Sequence, residues 1–278
     1  MRVAFQGERG AYSEMACFDF FGFEVDPLPL PTLDDVFQAV NDGLAEMGIA
    51  PIDNTFAGTI TKTYDLLLTH NLFIVGETYQ RIIHCLLANP GACLDQISRV
   101  YSHPQALEQC ESFLITLGAE PVPTRDTAGA ARFVREGGHL EEGAIAHEAC
   151  AKIYGLDLLK KSIETNANNA TRFVIISRKP LKVTKNVKTS LVFATKHIPA
   201  ALYKCLGGFA TNGVNLTKIE SRPQKSEKPG YLFYLDLEGH PEDINVMEAL
   251  KELNFFTSFV KILGSYPKET FDQSWLTV

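Results

Sequence analysis

The chain has 278 residues, 45% of them hydrophobic and 21% charged, with a formal net charge of −7. That is globular composition, long enough for about two domains, and its acidity argues against nucleic acid as a partner. No apolar run approaches the roughly 18 residues of a membrane span, and the opening Met-Arg-Val-Ala-Phe-Gln-Gly lacks the profile of a signal peptide, so a cytoplasmic location is expected.

Val3–Gln6 reads as a strand running into a glycine turn. Thr32–Leu44 carries Leu33, Val36, Phe37, Val40 and Leu44 on one helical face, with Thr32 and Asp35 at capping-box spacing. Met47–Pro51 is a buried strand, Ile60, Tyr64, Leu67 and Leu68 mark a helix, and Ile82–Ala88 is a strand. Leu107, Cys110, Phe113, Leu114 and Leu117 define a helix stopped by Gly118. Asp126–Arg135 is a helix capped by Asp126, Gly143–Ala146 a strand, Glu148–Tyr154 a helix, and Arg172–Ser177 a strand. This alternation predicts an α/β domain over residues 1–181 with largely parallel sheet.

A polar, basic stretch from Pro180 to Val187 has no apolar period and marks a domain boundary. Beyond it, over 188–270, the rhythm changes. Lys188–Ala194 is a strand, and Pro199–Asn212 a helix with Pro at its first position and Gly213 at its C-cap. Val214–Ser221 and Tyr231–Glu238 are alternating strands, Pro241–Leu253 is a helix, and Phe255–Tyr266 contains a last strand. The order βαββαβ is that of a ferredoxin-like domain.

The chemistry-bearing residues fall in loops at the ends of these elements. Gly10-Ala11-Tyr12 follows the first strand. Asp53-Asn54-Thr55, with Thr59, crowds amide and hydroxyl groups before a helix, a good carboxylate receptor. Ser102-His103-Pro104-Gln105 and Asp126-Thr127 open helices, Ser102 and Gln105 at capping-box spacing. Thr171-Arg172-Phe173 stands at a strand terminus, where Arg172 offers a fork for a carboxylate. The six cysteines form no CxxC pair, and the histidines no HExxH or zinc spacing, so neither a metal nor a cofactor is expected. The acidity is concentrated in residues 1–181, with 14 Lys and Arg against 23 Asp and Glu. An anionic substrate therefore needs a local receptor of backbone N–H groups, hydroxyls and an arginine.

Pro-Ile-Asp-Asn-Thr at 51–55, Ser-His-Pro-Gln-Ala at 102–106 and Thr-Arg-Phe at 171–173 resemble the motifs of the prephenate dehydratase family. Pro199-Ala-Ala-Leu202 and Glu220-Ser-Arg-Pro223 resemble those of an ACT domain. The resemblance implies a two-lobed catalytic domain like a periplasmic binding protein, a C-terminal ACT domain, and a homodimer or homotetramer. It implies loss of carbon dioxide and hydroxide from prephenate, giving phenylpyruvate. The arogenate dehydratases, which the chain also resembles, act on the amino counterpart, and a non-enzymatic amino-acid sensor is the further alternative. Thr171 would assist the leaving hydroxyl. Arg172, Asn54 and Thr55 would act beside it, and Arg172 either pairs a carboxylate or holds the Thr171 loop. Ala11, Tyr12, Asp53, Gln105, Thr127 and Phe173 would bind and orient substrate. L-Phenylalanine, the expected effector, would bind at a subunit boundary formed by Ala200, Ala201, Leu202, Asn215, Leu216, Glu220 and Ser221. The family's usual Pro-Ile-Glu-Asn-Ser and Pro-Gly-Ala-Leu are Pro-Ile-Asp-Asn-Thr and Pro-Ala-Ala-Leu here.

Overall fold

The computed structural model describes residues 1–224 and 230–270. In chain order the elements are β1 (Arg2–Gln6), α1 (Tyr12–Phe21), β2 (Asp26–Leu30), α2 (Leu33–Asn41), β3 (Met47–Asn54), β4 (Gly58–Thr59), α3 (Thr61–Thr69), β5 (Phe73–Arg81) and β6 (Cys85–Ala88). They continue as β7 (Arg99–Ser102), α4 (Pro104–Gln109), α5 (Glu111–Leu117), β8 (Glu120–Pro123), α6 (Thr127–Gly137), β9 (Glu142–Ala146), α7 (Ala149–Tyr154), β10 (Asp157–Lys161) and β11 (Ala170–Ser177). The last six are β12 (Val187–Thr195), α8 (Ala201–Thr211), β13 (Leu216–Pro223), β14 (Tyr231–Glu238), α9 (Ile244–Phe256) and β15 (Thr257–Pro267). Among the described residues no helix is long and apolar enough to cross a membrane.

The chain packs as two compact units, Met1–Thr63 with Thr78–Phe173, and Tyr64–Glu77 with Val174–Thr270. This differs from the boundary read in the sequence by assigning Tyr64–Glu77, and β11 from Val174 onward, to the second unit.

The first unit has two sheet-based lobes. One sheet runs β2-β1-β3-β11-β5 with β4 beside β3, of which residues 78–81 of β5 and 170–173 of β11 belong to this unit, and the other runs β10-β6-β9-β7-β8. β1 pairs in parallel with β2 and β3, and β7 with β8 and β9, whereas β6 is antiparallel to both neighbours. The chain passes between lobes twice, from β5 to β6 and from β10 to β11, the two-crossing plan of periplasmic binding proteins. Leu86, Val100, Leu107, Leu114 and Ile145 are buried together in the second lobe. Local signals explain several helix ends. Thr32 and Asp35 form both bonds of the capping box, and the Asp126 carboxylate accepts the Gly129 N–H at 2.6 Å. Gly118 ends α5 in the left-handed conformation, as read from the sequence, but Cys110 divides the predicted single helix into α4 and α5. Helix α1 and strands β5, β7, β8 and β10 carry too little periodicity to be read, and two prolines mask β2.

In the second unit the four antiparallel strands stand in the order β13-β14-β12-β15, the ferredoxin-like arrangement. Leu191, Phe193, Phe233, Leu235 and Leu237 alternate onto one face, where they pack with Phe209 of α8 and Val246, Ala249 and Leu253 of α9. The opposite face carries Lys188, Ser190, Tyr234 and Asp236, all buried. Tyr64–Glu77 supplies their cover. Tyr64 packs on Tyr234 with ring centroids 4.5 Å apart, Asp65 pairs with Arg222 at 2.8 Å, and Glu77 with Lys188 at 2.6 Å. Lys261 Nζ donates to the carbonyls of Leu67, Leu68 and His70 at the C-terminal end of α3. A side chain at Gly264 would collide with the Ile74 carbonyl, so the segment lies directly on β15.

Candidate active site

The loop after β1 ends at Gly10, where φ is +89° and an added Cβ would meet Cys150 Sγ at 2.5 Å, so only glycine fits. Helix α1 starts next, and its N-cap Ala11 supplies no side-chain acceptor. The first N–H groups of a helix have no partner within it, which leaves those of Tyr12 and Ser13 as donors. Both residues line a cleft of about 280 Å³, just under the roughly 300–1,000 Å³ usual for ligand sites. Gln6, Gly7, Pro31, Pro51, Asn54, Ala57 and Ile60 come from the first lobe. Ile82 and His84 follow β5, and His103, Gln105, Ala106, Gln109, Arg125, Asp126 and Thr127 come from the second lobe. Asn169, Thr171 and Phe173 stand at the return crossing. The whole lining belongs to the first unit.

A directed hydrogen-bond chain crosses this cleft. Asn54 Oδ1 accepts the N–H groups of Phe56 and Ala57 at 2.9 and 2.8 Å. Backbone donors cannot reverse, so Nδ2 of Asn54 must face the other way. It donates to Asn169 Oδ1 at 2.8 Å and to Thr171 Oγ1 at 2.9 Å. Asn169 Nδ2 then donates to Gln109 Oε1 at 2.9 Å, and the same oxygen lies 2.7 Å from His84 Nε2. His84 therefore carries its proton on Nε2, which leaves an Nδ1 lone pair 3.0 Å from Tyr12 Oη, whose single proton is shared between Nδ1 and the Ile83 carbonyl at 2.7 Å. Burial pushes the His84 pKa down and that of the Tyr12 phenol well up, so both stay neutral. Thr171 Oγ1 accepts from Asn54, so its own proton is available to another acceptor.

Of the ten residues to which the resemblance gives a catalytic or substrate-binding role, Ala11, Tyr12, Asn54, Gln105, Thr127, Thr171 and Phe173 line the cleft, and three do not. Strand alternation turns Asp53 and Arg172 to the side opposite Asn54 and Thr171, where their charged groups meet at 3.4 Å. Arg172 thus lies outside the cleft lining, paired with Asp53. Thr55 is also displaced. Its hydroxyl donates to the Asn168 carbonyl at 2.8 Å and accepts the Ala170 N–H at 3.0 Å, stitching β3 to β11. Ser102 does not cap α4, because its hydroxyl donates to Ile145 O at 2.6 Å. His103 is the cap, Nδ1 accepting from the Gln105 N–H at 3.2 Å, and its pKa is lowered by burial. The sequence reading passed over His84, Gln109 and Arg125, and it placed Asn169 in the polar run before Thr171 without giving it a role. One signal was present: Gln105 and Gln109 are four residues apart, on one face of a helix.

In the second unit, Pro199 is not the first helical residue. Ala200 takes the left-handed conformation at φ 57°, and α8 starts at Ala201. The Asn215 amide donates to Glu238 at 3.0 Å, and Leu216 opens β13, on which Glu220 and Ser221 follow. Ala200, Ala201 and Leu202 stand at one end of α8 and Asn215 and Leu216 beyond the other, about 16 Å along an 11-residue helix. One chain does not gather these residues at a single point.

A polar cleft in a two-lobed α/β unit, followed in the chain by a ferredoxin-like unit, defines a small-molecule site of the binding-protein type. A family model described as prephenate dehydratase matches residues 3–181, and the chain belongs to that family. It is 42% identical over 281 residues to arogenate dehydratase/prephenate dehydratase 2, chloroplastic, of Arabidopsis thaliana, covering 97% of this chain and 74% of the relative. It is 41% identical over 273 residues to the bifunctional N-acyl-homoserine lactone acylase/prephenate dehydratase of Komagataeibacter europaeus, covering 97% and 96%. The crystal structure of prephenate dehydratase in complex with L-Phe from Arthrobacter aurescens superposes with a TM-score of 0.88 at 31% identity, covering 96% of this chain and 90% of that one.

Proposed function

We propose that the chain catalyses the decarboxylating dehydration of prephenate to phenylpyruvate in this cleft, without a cofactor. The observation that carries this reading is the Asn54–Thr171 bond, which leaves the Thr171 proton free for the departing hydroxyl. In the reaction the bond from the ring to its carboxylate breaks, and that electron pair completes the aromatic ring. The ring–oxygen bond opposite breaks, and the hydroxide leaves as water after taking up a proton. A threonine is a weak acid, so Thr171 acts as a positioned donor to charge that develops in the transition state. The orphan N–H groups of α1 and the polar lining formed by Gln105 and Thr127 orient the substrate.

Residues 1–181 would form the catalytic domain and 188–270 an ACT domain that binds L-phenylalanine. The Phe complex named for the Arthrobacter enzyme supports that effector. The separation of the two ends of α8 supports a site shared between chains, and so a homodimer or homotetramer. A cytoplasmic location is supported by six free cysteines, as in a reducing compartment. The test is incubation with prephenate and, separately, with arogenate at neutral pH, against controls without enzyme. Phenylpyruvate from prephenate, suppressed by added phenylalanine, is the expected result. Turnover of arogenate alone would change the substrate and keep the site.

A further inference from the structure

We infer that Arg125 binds the carboxylate that prephenate keeps through the reaction, and thereby favours the keto acid over its amino counterpart. The inference rests on the dehydratase reading above. Arg125 precedes the Asp126 cap of α6 and lines the cleft, where it is the only Lys or Arg among the described lining residues. The domain around it is acidic, so a dianion entering the cleft meets this one exposed guanidinium among the described lining residues. A guanidinium has five N–H donors in a rigid fork. Arg125 Nη2 donates to the Pro31 carbonyl of the facing lobe at 2.5 Å, which reaches across the cleft and leaves the rest of the fork for a ligand. The nearby Glu8 carboxylate does not take up that fork, because Arg132 holds it through bonds of 2.6 and 2.8 Å.

The chemistry selects which carboxylate is held. The ring carboxylate loses its charge as it leaves as carbon dioxide. An arginine on it would stabilise the ground state more than the transition state and slow the reaction. The side-chain carboxylate stays charged from substrate to product, so pairing with it lowers KM and leaves kcat alone. In arogenate an ammonium stands on the carbon beside that carboxylate and is repelled by the guanidinium, so the benefit is smaller.

The test is Arg125→Gln, assayed with both substrates and titrated calorimetrically with phenylpyruvate, which retains the carboxylate. A charged hydrogen bond is worth about 1.5–3 kcal/mol, or roughly a 10- to 100-fold change. The expected result is at least a tenfold rise in KM for prephenate, a smaller rise for arogenate, kcat within about twofold, and phenylpyruvate binding at least tenfold weaker. The salt dependence of KM flattens in the variant. Unchanged KM, or a fall confined to kcat, overturns the inference. If the parent enzyme turns over neither substrate, the dehydratase reading fails by itself and calorimetry decides this one. Phenylpyruvate binding lost in Arg125→Gln upholds the carboxylate site, and equal binding or no binding to either protein overturns it.

Discussion

The side-chain amide of Asn54 donates to Thr171 Oγ1 at 2.9 Å, and its direction is imposed by two backbone N–H groups on its other end. One loop conformation thereby sets which way a threonine proton faces.

Thr171→Ala removes that proton and lowers kcat by about 10²-fold or more, the scale of losing one transition-state donor, while Thr171→Ser stays within roughly tenfold of the parent. Asn54→Asp replaces the donor by an oxygen facing Thr171 Oγ1 and Asn169 Oδ1 and lowers kcat on the same scale. Steady-state assays with prephenate, beside circular dichroism to verify folding, check all three.

His84 makes stability fall in acid. Its folded pKa is depressed by burial below the ordinary value of about 6.5, so just below that pH the unfolded chain binds a proton that the folded chain refuses. The contribution is complete above pH about 6.5 and is lost as pH drops toward the folded pKa. His103 and His147 are shifted the same way, also by burial. Urea unfolding at pH 5.5 and 7.5 is expected to show lower stability at 5.5. His84→Gln, which does not titrate, is expected to reduce that difference.

The Glu77–Lys188 pair is buried on both sides. Glu77→Gln leaves the ammonium without its counter-charge and is expected to cost about 3–5 kcal/mol. The double variant Glu77→Leu/Lys188→Met removes both charges and is expected to cost less than the single one, read from urea midpoints.

Ala200 holds a left-handed conformation at φ 57°, which costs a residue with a Cβ roughly 1–2 kcal/mol. Ala200→Gly is expected to stabilise by up to about 1 kcal/mol, since part of that gain is lost to the greater freedom of glycine when unfolded. Equilibrium unfolding of the two proteins checks it.

Much of this was legible along the chain because the responsible contacts are local. The Thr32 capping box, the Asp126 cap, the Gly118 stop and the βαββαβ order each arise within a few residues or from simple alternation. Strand β2, Asp-Pro-Leu-Pro-Leu, was not legible, because two prolines argue against a strand. At the sheet edge, with β1 as its single neighbour, the missing N–H groups cost little. The break at Cys110 and the replacement of Ser102 by His103 as a cap are likewise tertiary outcomes. Ser102 is drawn away by the carbonyl of Ile145, 43 residues distant.

By itself the sequence determined the α/β and ferredoxin-like organisation and the loops that carry the chemistry, since periodicity and capping are short-range. Only the tertiary structure decided which loop residues share the cleft. Asn54 and Thr171 are 117 positions apart and His84 and Gln109 are 25 apart, so their bonds exist only once two strands and a helix are packed. The same packing turned Arg172 toward Asp53 and left Arg125 as the cation in the cleft, because alternate residues of a strand face opposite sides and nothing in their spacing says which side is open.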